Sequence, residues 1–142
     1  MSDERAIENL ISRYAFLVDD GDFDGLGRLL DHCRFTLGSG PAVSGHAAVV
    51  ALAQGALQVH ADGTPRTRHV TSNLLIEIDA NAGTATGRAY YTVFQALDGF
   101  PLQPIACGTY HDRFERHDGA WRFAARSVQT RLVGDTTRHR RA

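Results

Sequence analysis

The sequence predicts an α+β fold, with three N-terminal helices packed on a strongly curved, mostly antiparallel sheet shaped as a cone with one pocket. Three observations carry this. Apolar residues recur at helical spacing up to about residue 58. From about residue 66 the period changes to two. The breaks between the later segments are turn sequences such as Asn81-Ala82-Gly83 and His117-Asp118-Gly119. A chain of 142 residues is one domain's worth, large enough to bury a core without staples. The domain is expected over residues 1–132, with 133–142 a flexible basic tail.

The elements follow in order. Residues 3–19 read as a helix, capped by Ser2 or Asp3, with Ile7, Leu10, Ile11, Tyr14, Ala15, Leu17 and Val18 as its stripe. Gly21 ends it, and Asp22 caps a short second helix carrying Phe23, Leu26, Leu29 and Leu30. Residues 33–38 alternate as a short strand, and 38–45 form a loop. Ser44 is positioned to cap a third helix over about 46–58. Four long strands are expected at about 67–79, 84–97, 104–116 and 120–132, with Asp98 to Pro101 as a longer loop. Long twisted sheets curl, and the concave side under a helix makes a pocket.

Composition narrows function. The net charge of −1 lacks the basic excess of a nucleic-acid binder. No apolar run approaches a membrane span, and the acidic N-terminus shows no signal-peptide pattern, so a cytoplasmic protein is expected. The charge is uneven, with eight acids against three arginines in residues 1–32. All fifteen basic residues are Arg, which excludes a Schiff-base lysine and a Walker-type phosphate loop. Cys33 and Cys107 have neither metal nor redox spacing and read as reduced, buried thiols. His111 and His117 lie too far apart on a strand to share a metal, and neither a metal nor a cofactor is expected. The run Asp20-Gly21-Asp22-Phe23-Asp24-Gly25 matches half an EF-hand loop. Gly27 and Arg28 break that pattern, and a capped helix–helix turn is expected there.

Several segments carry a resemblance. They are Arg13-Tyr14-Ala15 through Val18-Asp19-Asp20-Gly21-Asp22, Arg68-His69 through Asn73-Leu74, and Gly108-x-Tyr110-x-Asp112-Arg113-Phe114 running into Asp118-Gly119-x-Trp121-Arg122-Phe123. On these the chain resembles the SnoaL-like branch of the nuclear-transport-factor-2-like superfamily, over about residues 4–132. Its scytalone dehydratase and hexachlorocyclohexane dehydrochlorinase members look nearest. The resemblance implies a cofactor-independent lyase, of dehydratase or dehydrohalogenase type, or an isomerase. It also implies a small apolar, aromatic or polyketide-like substrate and a homodimer or homotrimer.

Both enzymes use an Asp–His pair, and Asp19 and His69 match its two positions. Arg126 matches an Arg near the leaving group of the dehydrochlorinase. Gln95 stands where the dehydratase has a second pocket histidine, and Val18 where it has a tyrosine. The catalytic residues expected are therefore Asp19, His69 and Arg126, with Tyr14, Tyr91, Gln95 and Tyr110 lining the pocket.

The chemistry of the pair is direct. A carboxylate accepting from Nδ1–H fixes the imidazole tautomer and raises basicity at Nε2, which a proton-abstracting base needs. The competing reading is a structural tie between helix and sheet. Strand parity bears on this, because Val70, Leu74, Ile76 and Ile78 share an alternation that excludes His69. Either a bulge intervenes, or that parity is an outer face that a second copy covers. The alternative function is a non-catalytic ligand-binding or oligomerising module of the same fold. Arg126 has a bland reading too, as an ion pair with Asp112.

Overall fold

The computed structural model describes residues 1–142. The chain runs α1 (Asp3–Asp19), α2 (Phe23–Leu29), β1 (Arg34–Leu37), β2 (Val43–Ser44), α3 (His46–Ala56), β3 (Thr67–Asp79), β4 (Thr84–Leu97), β5 (Phe100–His117) and β6 (Ala120–Val133). The six strands form one mixed sheet in the order β2-β1-β6-β5-β4-β3. All neighbours are antiparallel except β1 and β6, which run parallel. The strands do not close into a barrel, since β2 and β3 remain as edges.

Local chemistry sets the helix ends. Ser2 accepts from the Arg5 N–H at the start of α1, and Asp22 accepts from the Gly25 N–H at the start of α2. Ser44, expected to cap α3, belongs instead to the short strand β2. The cap position is Gly45, which has no side chain to offer. Asp31 takes over, accepting from the His46 N–H across the fold at 3.0 Å.

Helix α1 lays Ile7, Leu10, Ile11, Tyr14 and Val18 on the sheet, and these join Phe35, Phe114 and Phe123 in one core. Trp121 Nε1 donates to Asp3 at 2.9 Å and ties the start of α1 to β6. Burying such a stripe is the main stabilising term, at about 25 cal/mol per Å² of apolar surface.

Two expectations need correction, the loop and the tail, and the open question about β3 is answered. The loop expected at 98–101 is a two-residue turn, with Leu97 already paired to Phe100 and Gly99 at φ 73°. Phe100 is buried and already paired with Leu97, so β5 starts there. Of the two readings left open for the apolar parity of β3, the bulge is the one found. A bulge between Ser72 and Leu75, with Asn73 at φ 55°, adds one residue to β3. Thr67, His69 and Thr71 face the helices before the bulge, and Ile76 and Ile78 face them after it. Val70, Leu74 and Leu75 are left exposed on the other face.

The tail expected to be flexible is packed. The Gln58 N–H donates to the His139 carbonyl, and the Arg141 N–H donates to the Ala56 carbonyl. Leu57 and Arg140 form an isolated bridge. These are backbone bonds that side-chain composition does not announce.

Candidate active site

Asp19 and His69 meet at the end of α1. Gly21, at φ 69°, turns the chain there, and a Cβ on it would stand 2.3 Å from the Gly63 carbonyl oxygen. This close approach brings the loop before β3 against the end of α1. The Asp19 carboxylate then accepts three hydrogen bonds. His69 Nδ1 lies 2.6 Å from Oδ1, the His69 backbone N–H 2.8 Å from Oδ2, and the Thr67 hydroxyl 2.8 Å from Oδ1. Both side chains are nearly enclosed, at 9% exposure for His69 and 7% for Asp19.

Burial pushes the Asp19 carboxyl up. The bond from the His69 ring and its charge, with the backbone and Thr67 bonds, outweigh burial and hold it below the usual range. Asp19 is therefore ionised and can only accept, so His69 Nδ1 carries the proton of that bond. In the neutral imidazole Nε2 is left with its lone pair.

The other expected residues fall into two groups. Arg126 is fully enclosed and forms a bidentate pair with Asp112, both bonds 2.8 Å. Its guanidinium carbon lies 3.8 Å from the centre of the Tyr110 ring, 4.3 Å from Tyr14 and 4.9 Å from Phe123. Burial alone would lower the Arg126 pKa, but Asp112 raises it, so the charge is secure. The pair expected as the bland reading thus exists, while Nη1 of the same guanidinium is buried with no partner.

Tyr110 stacks on Tyr91 with centroids 4.6 Å apart, and Tyr14 meets Tyr110 edge-on at 5.7 Å. The Tyr91 hydroxyl is bonded to Thr130 at 2.8 Å. Burial pushes the Tyr14 phenol up to about 12 and lifts Tyr110 well above its ordinary value. Both stay protonated at neutral pH and can act as hydrogen-bond donors, but hardly as phenolate bases.

Gln95 is directly opposite Thr67 on β4, so it stands beside the Asp–His pair. Its amide N–H groups donate to the carbonyls of Pro65, at 3.0 Å, and Arg138, at 3.1 Å. The sequence reading missed two contributors. Thr67 binds Asp19, and its place two residues before His69 on one strand face was the available signal. His139 packs from the tail, its ring centroid 6.4 Å from that of His69. Nothing in the local sequence around His139 could have revealed that.

The acidic run 20–31 is engaged in folding. Asp22 caps α2, Asp24 pairs with Arg28 and His46, and Asp31 caps α3. No group of three or more His, Cys, Asp or Glu side chains is gathered anywhere in a way that could hold a metal ion. Cys33 is buried, with its thiol pushed up to about 12 by that burial, while Cys107 is only half-buried. Two open grooves, of about 560 and 530 Å³, lie on the sheet face carrying Arg34, Glu77, Arg88 and Arg113. They are open to solvent and walled largely by polar and charged groups. Asp19 and His69, by contrast, are nearly enclosed.

Comparison with known proteins agrees with this architecture. The sequence profile of the SnoaL-like domain matches residues 1–127. An NTF2-like protein with a cystatin-like fold from Novosphingobium aromaticivorans is 26% identical, with 90% of this chain and 81% of that one covered and a TM-score of 0.74. LinA is 22% identical, covering 94% of this chain and 89% of that one, at a TM-score of 0.74. A candidate scytalone dehydratase from Novosphingobium aromaticivorans is 22% identical, covering 93% and 86%, at 0.72. At these identities the last two speak for the fold. No curated protein matches the sequence. No helix is long and apolar enough to cross a membrane.

Proposed function

Since the chain belongs to the SnoaL-like domain family, we propose that it is a cofactor-independent enzyme that abstracts a proton from carbon, as a lyase or isomerase acting on a small molecule. One observation carries the reading. The ionised Asp19 grips His69 at both its backbone N–H and its Nδ1, which leaves Nε2 as the basic atom. In this reading Nε2 takes a proton from a carbon of the substrate, and Asp19 stabilises the imidazolium that forms. The electron pair left on carbon then forms a double bond. A halide on the next carbon departs as the anion, or a hydroxyl takes the proton held on the His69 imidazolium and departs as water, or the pair shifts within the molecule and that proton returns to another carbon. Arg126 and the protonated Tyr14 and Tyr110 would stabilise negative charge as it develops.

The test is turnover by the intact protein of a panel of small β-hydroxy ketones and cyclic halides. Wild type is expected to release water or halide from at least one, and His69→Gln to lose that activity by a factor of about 10² or more. A second reading has its own observation. The backbone bond from His69 to Asp19 is also what a structural tie between α1 and β3 would use. That reading makes the protein a non-catalytic binding module, and binding of a small molecule with no turnover of any panel member by wild type would favour it.

A further inference from the structure

Gln95 is 1% exposed and lies in register with Thr67, two positions along the same sheet face from the pair His69–Val93. Its orientation is fixed by chemistry. Two carbonyls, of Pro65 and Arg138, can only accept, so the NH₂ group must point at them. The side-chain oxygen is then an acceptor by necessity, and it is buried with no donor in the protein. His139, 7% exposed, follows Arg138 in the chain and packs against His69. Its Nδ1 is likewise buried without a partner. Burial, with the charges of His69, Arg140 and His60 against that of Asp19, keeps its ring neutral at pH 7. A neutral imidazole nitrogen can accept or donate according to its tautomer.

Two orphaned polar atoms thus belong to residues next to the Asp19–His69 pair, Gln95 on the diagonal across the strands and His139 on the tail packed beside His69. A buried polar atom without a partner is costly, and a bound apolar molecule would leave both atoms in that state. A hydroxyl brings its one donor to Gln95 Oε1 and a lone pair that accepts from His139 Nδ1–H.

We propose that Gln95 and His139 form a hydroxyl-recognition subsite beside the Asp19–His69 pair, so that the molecule bound there is hydroxylated rather than a plain hydrocarbon or halocarbon. In the proton-abstraction reading, on which the placement of this subsite rests, the subsite favours elimination of water over loss of halide.

Binding tests this without turnover. Phenol, anisole and chlorobenzene have similar apolar bodies, but only phenol can donate. Amide shifts of the ¹⁵N-labelled full-length protein would be followed as each is added. Phenol is expected to bind at least about tenfold more tightly than chlorobenzene, with anisole closer to chlorobenzene. In Gln95→Met the preference should shrink to within about threefold. The wild-type series stands by itself if that variant folds badly. In His69→Gln the phenol preference should persist, which separates this proposal from the proton-abstraction reading. Chlorobenzene binding as tightly as phenol, none of the three binding at millimolar concentration, or a well-folded Gln95→Met that keeps the full preference would each overturn the subsite.

Discussion

The two carboxylate oxygens of Asp19 are divided between two N–H groups of one residue. Oδ2 takes the His69 backbone N–H at 2.8 Å and Oδ1 takes ring Nδ1 at 2.6 Å. The backbone bond fixes where β3 begins relative to α1. The ring bond fixes which nitrogen of His69 is basic. Placement and electronics therefore depend on a single carboxylate.

Asp19→Asn is the sharpest change to that arrangement. The amide offers one acceptor where the carboxylate serves three donors, and its NH₂ can donate to Nδ1 and invert the tautomer. Turnover is expected to fall by about 10² or more, and stability to urea by about 1–3 kcal/mol. A variant with wild-type turnover would make the pair a structural tie.

Stability should depend on pH through the same group. The folded Asp19 carboxyl titrates below its unfolded value. Its contribution is complete above the unfolded value of about 3.9 and is lost as pH falls through the lower folded value. Acid melts of wild type and Asp19→Asn should converge below that point and diverge above it. Parallel curves across the range would contradict this.

His139 titrates in a higher window. Burial holds its folded value down to about 4, opposed only by Asp19 among the facing groups, which include His69, Arg140 and His60. A released tail would take up a proton below about 6.5. Docking of residues 136–141 should therefore weaken as pH falls from about 6.5 to about 4, with no further loss below. Amide exchange of Gln58 and Arg141, whose N–H groups bond across this contact, would read it. Equal protection at pH 7 and pH 4.5 would contradict the prediction.

The buried pair of Arg126 and Asp112 makes a different forecast. Removing one partner leaves an uncompensated enclosed charge. Asp112→Asn is expected to cost about 3–5 kcal/mol, and the double change Asp112→Asn with Arg126→Met should recover part of that. Urea midpoints of the three variants would decide it, and additive losses would argue that the two side chains act separately.

The legibility of this chain in its sequence was uneven for physical reasons. Helix α1 and the turn at Asp118-Gly119 were clear, because apolar spacing and glycine chemistry are local. The strand β3 was ambiguous because one bulge at Asn73 exchanges its two faces, and a bulge leaves little trace in alternation. Asp19 and His69 could be paired only through resemblance, since helical angle favoured neither Asp19 nor Asp20. The α3 cap and the His139 contact are long-range, made by Asp31 and by the tail, and no local pattern encodes them.

The proposed function rests on one step, in which His69 Nε2, held by Asp19, takes a proton from carbon. Solvent exchange tests it most directly. Wild type, Asp19→Asn and His69→Gln would each be incubated in D₂O with the β-hydroxy ketone that wild type consumes, or with its non-eliminating ketone analogue. Deuterium entering the carbon beside the carbonyl would be followed by NMR. The account predicts rapid incorporation or elimination in wild type, a rate lower by about 10² or more in Asp19→Asn, and none above background in His69→Gln. Deuterium entering at the wild-type rate in His69→Gln would contradict it.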